Sequence, residues 1–254
     1  NLNTGTIQGT VAWTTQGKNS GALTFNGTNT RVSVPSSTSL NISAVTLEAW
    51  VYPTANQDGW RAVVQKEVAA WFLHASSSGG PLEPAAGGTF GGTGGWTGAG
   101  PIPVNAWTHL AQTYDGATLR LFVNGLQVSS LAQTGALEIS SSPLWIGGNS
   151  PYGENFRGRI DDVRVYNRAL SATEIQTDMN RPVTSTILSV SRLPASARMP
   201  LSGSGSLPAA CGSRIVIVHC QASPSRTSSD EPARPVCRMS CRPRSSRAGN
   251  VASV

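Results

Sequence analysis

Residues 105–130 read NAWTHLAQTYDGATLRLFVNGLQVSS, three runs of alternating character joined by Asp115-Gly116 and Asn124-Gly125. Alternation of period 2 places every second side chain on the same face of a strand. Asn-Gly and Asp-Gly are the strongest short hairpin signals, because a type I′ turn needs positive φ at both central positions. The segment therefore predicts a three-stranded antiparallel meander with both connections tight. A chain containing it has an antiparallel sheet to cover, and the remaining sequence must supply the layer that does so.

The same period runs from Gly21 to Tyr166. GALTF alternates Leu23 and Phe25 with small or polar neighbours, TRVSV repeats this with Val32 and Val34, and Pro35 ends that run. VTLEAWVYP puts Val45, Leu47, Ala49 and Val51 on one face and Glu48, Trp50 and Tyr52 on the other. RAVVQK and AWFLHA read as a neighbouring pair, and PLWIGG and GRIDDVRVYNR as two further strands. Gly79 to Gly100, with GGTFGGTGGWTGAG at its centre, reads as a long loop too glycine-rich for regular structure. LSATEIQTDM reads as one short helix, with Ser171 and Glu174 spaced as a capping box. Many short strands and almost no helix predict an all-β fold, two antiparallel sheets packed as a sandwich.

Composition divides the chain near residue 182. All seven Trp, five Phe and four Tyr precede Arg181. Residues 1–182 carry ten Lys and Arg against eleven Asp and Glu, whereas 183–254 carry nine Arg, no Lys and two acids. The basic pI belongs to the tail, so the folded part offers no basic surface for nucleic acid. Residues 183–254 form a Ser/Pro/Arg-rich tail with nothing aromatic to build a core from. Two origins fit it: a natural disordered linker, or GC-rich coding DNA read out of frame. Cys211, Cys220, Cys237 and Cys241 all lie there, at spacings unlike paired zinc ligands, which leaves a tail disulfide as their open use. No run approaches the roughly 18 apolar residues of a membrane span. The chain opens on Asn1 without Met, which fits a missing N-terminal piece.

Four stretches, GALTFNGTNTRVSVP, VTLEAWVYPT, NAWTHLAQTYDGATLRLFVNG and GRIDDVRVYNRALSATEI, occur in an order and spacing that resemble the laminin-G-like jelly rolls of the concanavalin-A-like lectin and glucanase superfamily. The resemblance covers roughly residues 5 to 178. It implies a two-sheet jelly roll in a secreted or cell-surface multidomain protein, often bacterial. Such a domain binds a glycan or an extracellular protein, or acts as an adhesion or spacer domain, and is expected to be monomeric. The resemblance also implies a structural calcium. Asp161 precedes the strand VRVY, and a carbonyl from the turn at Asn26 and Gly27 would join it. Asp161 shares its strand face with Val163 and Val165, so a buried carboxylate is expected there. Arg31, Arg159 or nearby backbone amides are the alternative partners.

Hydrolases of the superfamily resemble one another in a strand carrying E-x-D-x-(x)-E. Alternation there brings two carboxyls to the roughly 5 Å that retaining chemistry needs. No such strand exists here: Glu48 and Glu138 stand alone, and the adjacent Asp161 and Asp162 are expected on opposite strand faces. The expectation is therefore a non-catalytic module, most simply carbohydrate-binding. His74 and His109, alone in their strands, read as packed residues. Trp50, Trp71, Trp107 and Trp145 fall in strand patterns and read as core, while Trp60, Trp96 and Tyr152 fall in expected loops. Aromatic faces with adjacent polar groups are what a sugar site requires. Trp60 with Asn56 and Asp58, Trp96, and Tyr152 with Asn149 and Glu154 are the candidate ligand contacts.

Overall fold

The computed structural model describes residues 3–183 together with the backbone of two strands, Ile215–Gln221 and Val236–Arg242. Of the tail cysteines, Cys220, Cys237 and Cys241 lie on these strands, where Cys220 stands in register opposite Cys237; Cys211 and the other expectations for the tail lie outside the described residues. In chain order the strands are β1 (Asn3–Gln8), β2 (Ala12–Gly17), β3 (Ser20–Asn26), β4 (Arg31–Val34) and β5 (Val45–Pro53). There follow β6 (Arg61–Lys66), β7 (Trp71–Ser76), β8 (Ala85–Phe90), β9 (Thr93–Gly98) and β10 (Thr108–Tyr114). The meander continues through β11 (Thr118–Val123) and β12 (Leu126–Ala132), and β13 (Leu144–Ile146) and β14 (Arg157–Tyr166) lead to the helix α1 (Ala172–Met179). The two tail strands are β15 and β16.

These strands make two antiparallel seven-stranded sheets. The first runs β12-β11-β10-β5-β14-β3-β2 and the second β1-β4-β13-β6-β7-β8-β9. β15 pairs with β16, and the two bridge the end of β14 to β1. Ile215-Val216-Ile217-Val218 is a β-branched run of the kind that favours strands. The inward faces follow the predicted alternation. Leu47, Ala49 and Val51 of β5 join Leu110 of β10 and Leu121 of β11 in one core with Val64, Leu73 and Ala75 from the second sheet. β5 and β10 lie over β7, and β11 over β8. Each fully buried Leu or Val among them stabilises the fold by about 1.5–3 kcal/mol relative to exposure.

The meander β10-β11-β12 forms as expected, but its turns differ. Asn124 and Gly125 have φ of 51° and 76°, a primed two-residue turn. The first connection is three residues long, and among Asp115, Gly116 and Ala117 only Gly116 has positive φ, at 98°. The Asp115 side chain organises it instead: Oδ1 accepts from the backbone N–H of Ala117 (2.9 Å) and Thr118 (2.8 Å), and Oδ2 from Arg120 (2.6 Å).

The glycine-rich segment is not a loop. It is the hairpin β8-β9, turning through Gly91 (φ 57°) and Gly92 (φ 82°). Glycine serves close approach here as well as turning. A Cβ at Gly87 would lie 2.2 Å from Phe72 Cζ, and one at Gly88 would lie 2.7 Å from the Ala70 carbonyl. Composition alone suggests permissive backbone, whereas tertiary packing holds these residues extended.

Of the four tryptophans read as core, Trp50, Trp71 and Trp145 are buried, and Trp107 is the exception. Trp71 is in the core. Trp50 and Trp145 point to the outer faces of their sheets, beneath the cations of Lys18 (4.3 Å) and Arg31 (5.2 Å). Trp107 is half-buried against Tyr52, ring centroids 5.4 Å apart.

Helix α1 is capped as predicted: Ser171 accepts from the Glu174 N–H, and the Glu174 carboxylate accepts from the Ser171 N–H. Arg168 grips Glu174 with two bonds of 2.9 and 2.7 Å, holding that carboxyl down to about 2. The helix lies on the outer face of the first sheet, where Ile175 and Leu170 pack with Ala111, Phe122 and Tyr166. Glu48, His109 and Arg164 are buried on that same outer face, with Arg164 3.6 Å and His109 3.9 Å from the Glu48 carboxylate.

Candidate functional site

Among the described residues no helix lies on the outer face of the second sheet. Alternation along β7 sends Trp71, Leu73 and Ala75 to the core and leaves Phe72 and His74 on the outside, beside Gln65 of β6. Next to them, β8 and β9 line the groove with Gly88, Gly94 and Gly95, which put no side chain into it. Trp60 enters before β6, Trp96 rises from β9, and Tyr152 and Glu154 come from the connection between β13 and β14. Together they bound a groove of about 440 Å³, within the size range of small-molecule sites.

Its walls are aromatic. Trp60 packs edge-to-face against Trp96 (centroids 5.3 Å), Phe72 (5.8 Å) and His74 (5.4 Å). Trp96 and Tyr152 keep 43% and 54% of their surface exposed, far more than the core aromatics. The polar floor is one connected network whose proton positions can be derived. The Tyr152 backbone N–H donates to Asn149 Oδ1 (3.0 Å), which fixes the Asn149 amide with its nitrogen as donor. That nitrogen donates to Gln65 Oε1 (3.0 Å) and to the Glu154 carboxylate. Gln65 Oε1 is thus an acceptor, so the His74 contact at 2.9 Å has its proton on Nε2. Burial lowers His74 to about 3, so the ring is neutral and its 3.9 Å approach to Glu154 is no ion pair. Burial raises the Glu154 carboxyl above the ordinary range, opposed by the Asn149 hydrogen bond and by Arg61. Burial, followed by the charge of Glu154, pushes the neighbouring Glu67 up to about 7 against the pull of Lys66.

The structure brings Trp60, Trp96 and Tyr152 to this one groove. Asn149 is present too, but fully buried beneath it, where it positions Tyr152 and Glu154 instead of facing a ligand. Asp58 stands apart and exposed, accepting from the Gly59 N–H at 2.8 Å. Sequence reasoning missed Gln65, Phe72 and His74 as groove residues. The signal was available, since all three sit on the polar side of their strands' alternation, yet period alone does not say which outer face stays uncovered.

The residues considered for calcium do not come together. Asp161 is buried, but on the outer face in register with Trp50 and not on the core face of Val163 and Val165 as expected; burial raises its carboxyl. Backbone amides answer it: Asn19 N–H donates to Oδ2 (3.0 Å) and Asp162 N–H to Oδ1 (2.8 Å). A bulge between Asp161 and Arg164, with Asp162 at φ 48°, breaks the alternation. Asp162 therefore does not point opposite to Asp161; its Oδ2 accepts from the side chain of the same Asn19 at 2.8 Å. Asn26 pairs with Arg157, four residues up β14 from Asp161, on the order of 13 Å away at about 3.3 Å per residue. Its side chain closes its own turn, accepting from Thr28 and Asn29, and Gly27 lies under Arg157 with φ 79°. Asp161, Asn26 and Gly27 thus do not fit one cation cage. Among the described residues no three His, Cys, Asp or Glu gather as ligands.

Residues 26–176 match a family model described as the concanavalin A-like lectin/glucanases superfamily, in its laminin-G form, and the chain belongs to that family. Pappalysin-1 of Mus musculus is 40% identical over 78 residues, which are 29% of this chain and 5% of that protein. Domain 4 of AbnA, a GH43 extracellular arabinanase from Geobacillus stearothermophilus solved with arabinotriose, superposes with a TM-score of 0.56 at 20% identity, covering 68% of this chain and 87% of that one. The binding domain of Paraclostridial Mosquitocidal Protein 1 does so with a TM-score of 0.56 at 18% identity, covering 70% and 46%. At such identities the likeness shows the fold alone. Among the described residues no helix is long and apolar enough to cross a membrane.

Proposed function

We propose that this domain is a non-catalytic carbohydrate-binding module of a larger extracellular protein, and that the groove bounded by Trp60, Trp96 and Tyr152 is its glycan site. One observation carries the reading: exposed aromatic faces stand over a floor of prearranged hydrogen-bonding groups. Aromatic faces take the C–H surface of a sugar while Gln65 and Glu154 orient its hydroxyls, and the Asn149 network holds those groups before the ligand arrives. The arabinotriose complex of the AbnA domain supports a glycan as the class of ligand. The test is a glycan array on the purified protein. Binding that disappears in Trp60→Ala and Tyr152→Ala supports the proposal, and an array hit unchanged in both variants refutes this site.

A further inference from the structure

The groove does not end at Trp96. On the other side of that ring lies a second depression of about 390 Å³, lined by Ser77, Gly79, Glu83, Gly98, Ala99 and Gly100, and Trp96 is the one residue bordering both. Three features make Trp96 a shared wall. It keeps 43% of its surface exposed although it sits mid-strand in β9. A Cβ at Gly98 would lie 3.2 Å from Trp96 Cζ3, so the ring leans across Gly98 toward the second depression. Trp60 braces it edge-to-face from the first side.

The charge of the two depressions is also alike. Each contains one carboxylate, Glu154 in the first and Glu83 in the second, and neither is lined by Lys or Arg. A sugar bearing a carboxylate or sulfate would lose its hydration to face negative charge, and the nearby cation, Arg61, is already set against Glu154. Hydroxyls lose little, since a carboxylate is a strong acceptor for two of them at once.

Building on the glycan-binding reading above, we propose that the protein takes a run of several neutral sugars laid across Trp96, occupying both depressions, rather than one terminal residue, and that it rejects acidic glycans. Trp96 then serves sugars on both sides, and affinity grows with chain length until the second depression is filled.

The test is calorimetric titration of the whole protein with arabino-, xylo- and cello-oligosaccharides of one to six units, and with oligogalacturonates of the same lengths. For whichever neutral series binds, affinity is expected to rise at least 10-fold from the shortest binding oligomer to the longest and then level, with no binding of the oligogalacturonates. Gly100→Gln fills the second depression with little risk to folding, because a Cβ there meets nothing within 4 Å and the residue needs no positive φ. It is expected to lower the affinity of the long oligomer to that of the short one and to leave the short one unchanged. Glu83→Gln provides an independent variant on the same side. If short and long oligomers bind equally, if Gly100→Gln and Glu83→Gln leave the long oligomer's affinity intact, or if oligogalacturonates bind as well as neutral chains, the extended neutral groove is wrong while glycan binding stands. If no oligosaccharide in either set binds and the array is empty, the glycan reading itself has failed.

Discussion

The two outer faces of this sandwich are built from the same kind of strand and have opposite fates. On the first sheet, α1 and the chain that follows it close over the surface. Ile175 and Leu170 bury Phe122 and Tyr166, Arg164 donates to the Arg181 carbonyl, and the Tyr166 hydroxyl donates to Asp178. Polar groups caught beneath that cover, Glu48, His109 and Arg164, interact with one another. Among the described residues nothing closes over the second sheet, and Phe72, His74 and Gln65 are instead the floor of a groove walled by aromatics. The difference teaches that an outward polar residue on a strand has no fixed meaning. What covers the face decides whether it stabilises the fold or awaits a ligand.

The sharpest way to break this contrast is one aromatic truncation on each face. Phe122→Ala beneath the helix is expected to cost about 3–5 kcal/mol of stability, because a buried ring leaves a cavity. Trp96→Ala, on the open face, should cost under about 1 kcal/mol in thermal or urea unfolding. It should nonetheless weaken any glycan bound on the array by roughly 30-fold, the ~2 kcal/mol of a hot-spot aromatic. Equal destabilisation by the two variants would mean that the open face is structural.

Acid sharpens the contrast through one histidine on each face. Burial holds both His74 and His109 at about 3, well below the value near 6.5 of an unfolded chain. The unfolded chain therefore takes up protons that the fold refuses, and stability present above pH 6.5 is lost as pH falls toward 3. Glu67 works the other way. Its folded value near 7 lies above the unfolded 4.5, so its contribution is lost as pH rises through that window. Between pH 6.5 and 4.5 the two kinds of group partly cancel; below 4.5 the histidines act without that opposition, each at up to ~1.4 kcal/mol per pH unit. Unfolding free energy measured from pH 3 to 7 should accordingly be shallow above 4.5 and steep below it. His109→Gln should halve the histidine share of the steep limb without touching glycan binding.

Asn149→Ala is expected to act on both properties. It removes the acceptor for the Tyr152 N–H and the donor to Gln65 and Glu154, so stability should drop by about 1–3 kcal/mol. Glycan affinity should fall with it, since Tyr152 and Glu154 lose their anchor. A stability loss with unchanged affinity would show that the network does not preorganise the groove.

Much of the fold was legible because it rests on local signals. The inward alternation of β5, the primed turn at Asn124-Gly125 and the capping box of α1 are each written within ten residues. What was not legible rests on contacts between distant segments. Glycines at 87 and 88 look permissive until Phe72 and Ala70 are seen to press on them. Asp161 and Asp162 look opposed until the bulge turns both toward Asn19. For the site, aromatic residues placed in loops marked Trp60 and Tyr152. The floor stayed hidden because β6 and β7 give no local sign that their outer face is the uncovered one.

The gentlest test of the contrast lies in the helix that makes the cover. Ser171→Ala removes a cap that accepts the Glu174 N–H and should cost about 1 kcal/mol. Part of the effect is cushioned by Arg168, which keeps Glu174 at the helix start through two hydrogen bonds. The cap sits on the first sheet, and the groove is on the far side of a core formed by Leu47, Leu110, Leu73 and their neighbours. A small drop in melting temperature with unchanged glycan affinity is thus expected. Reduced affinity would instead mean that loosening the cover is felt through the core at the groove, and the two faces would have to be treated as one coupled unit.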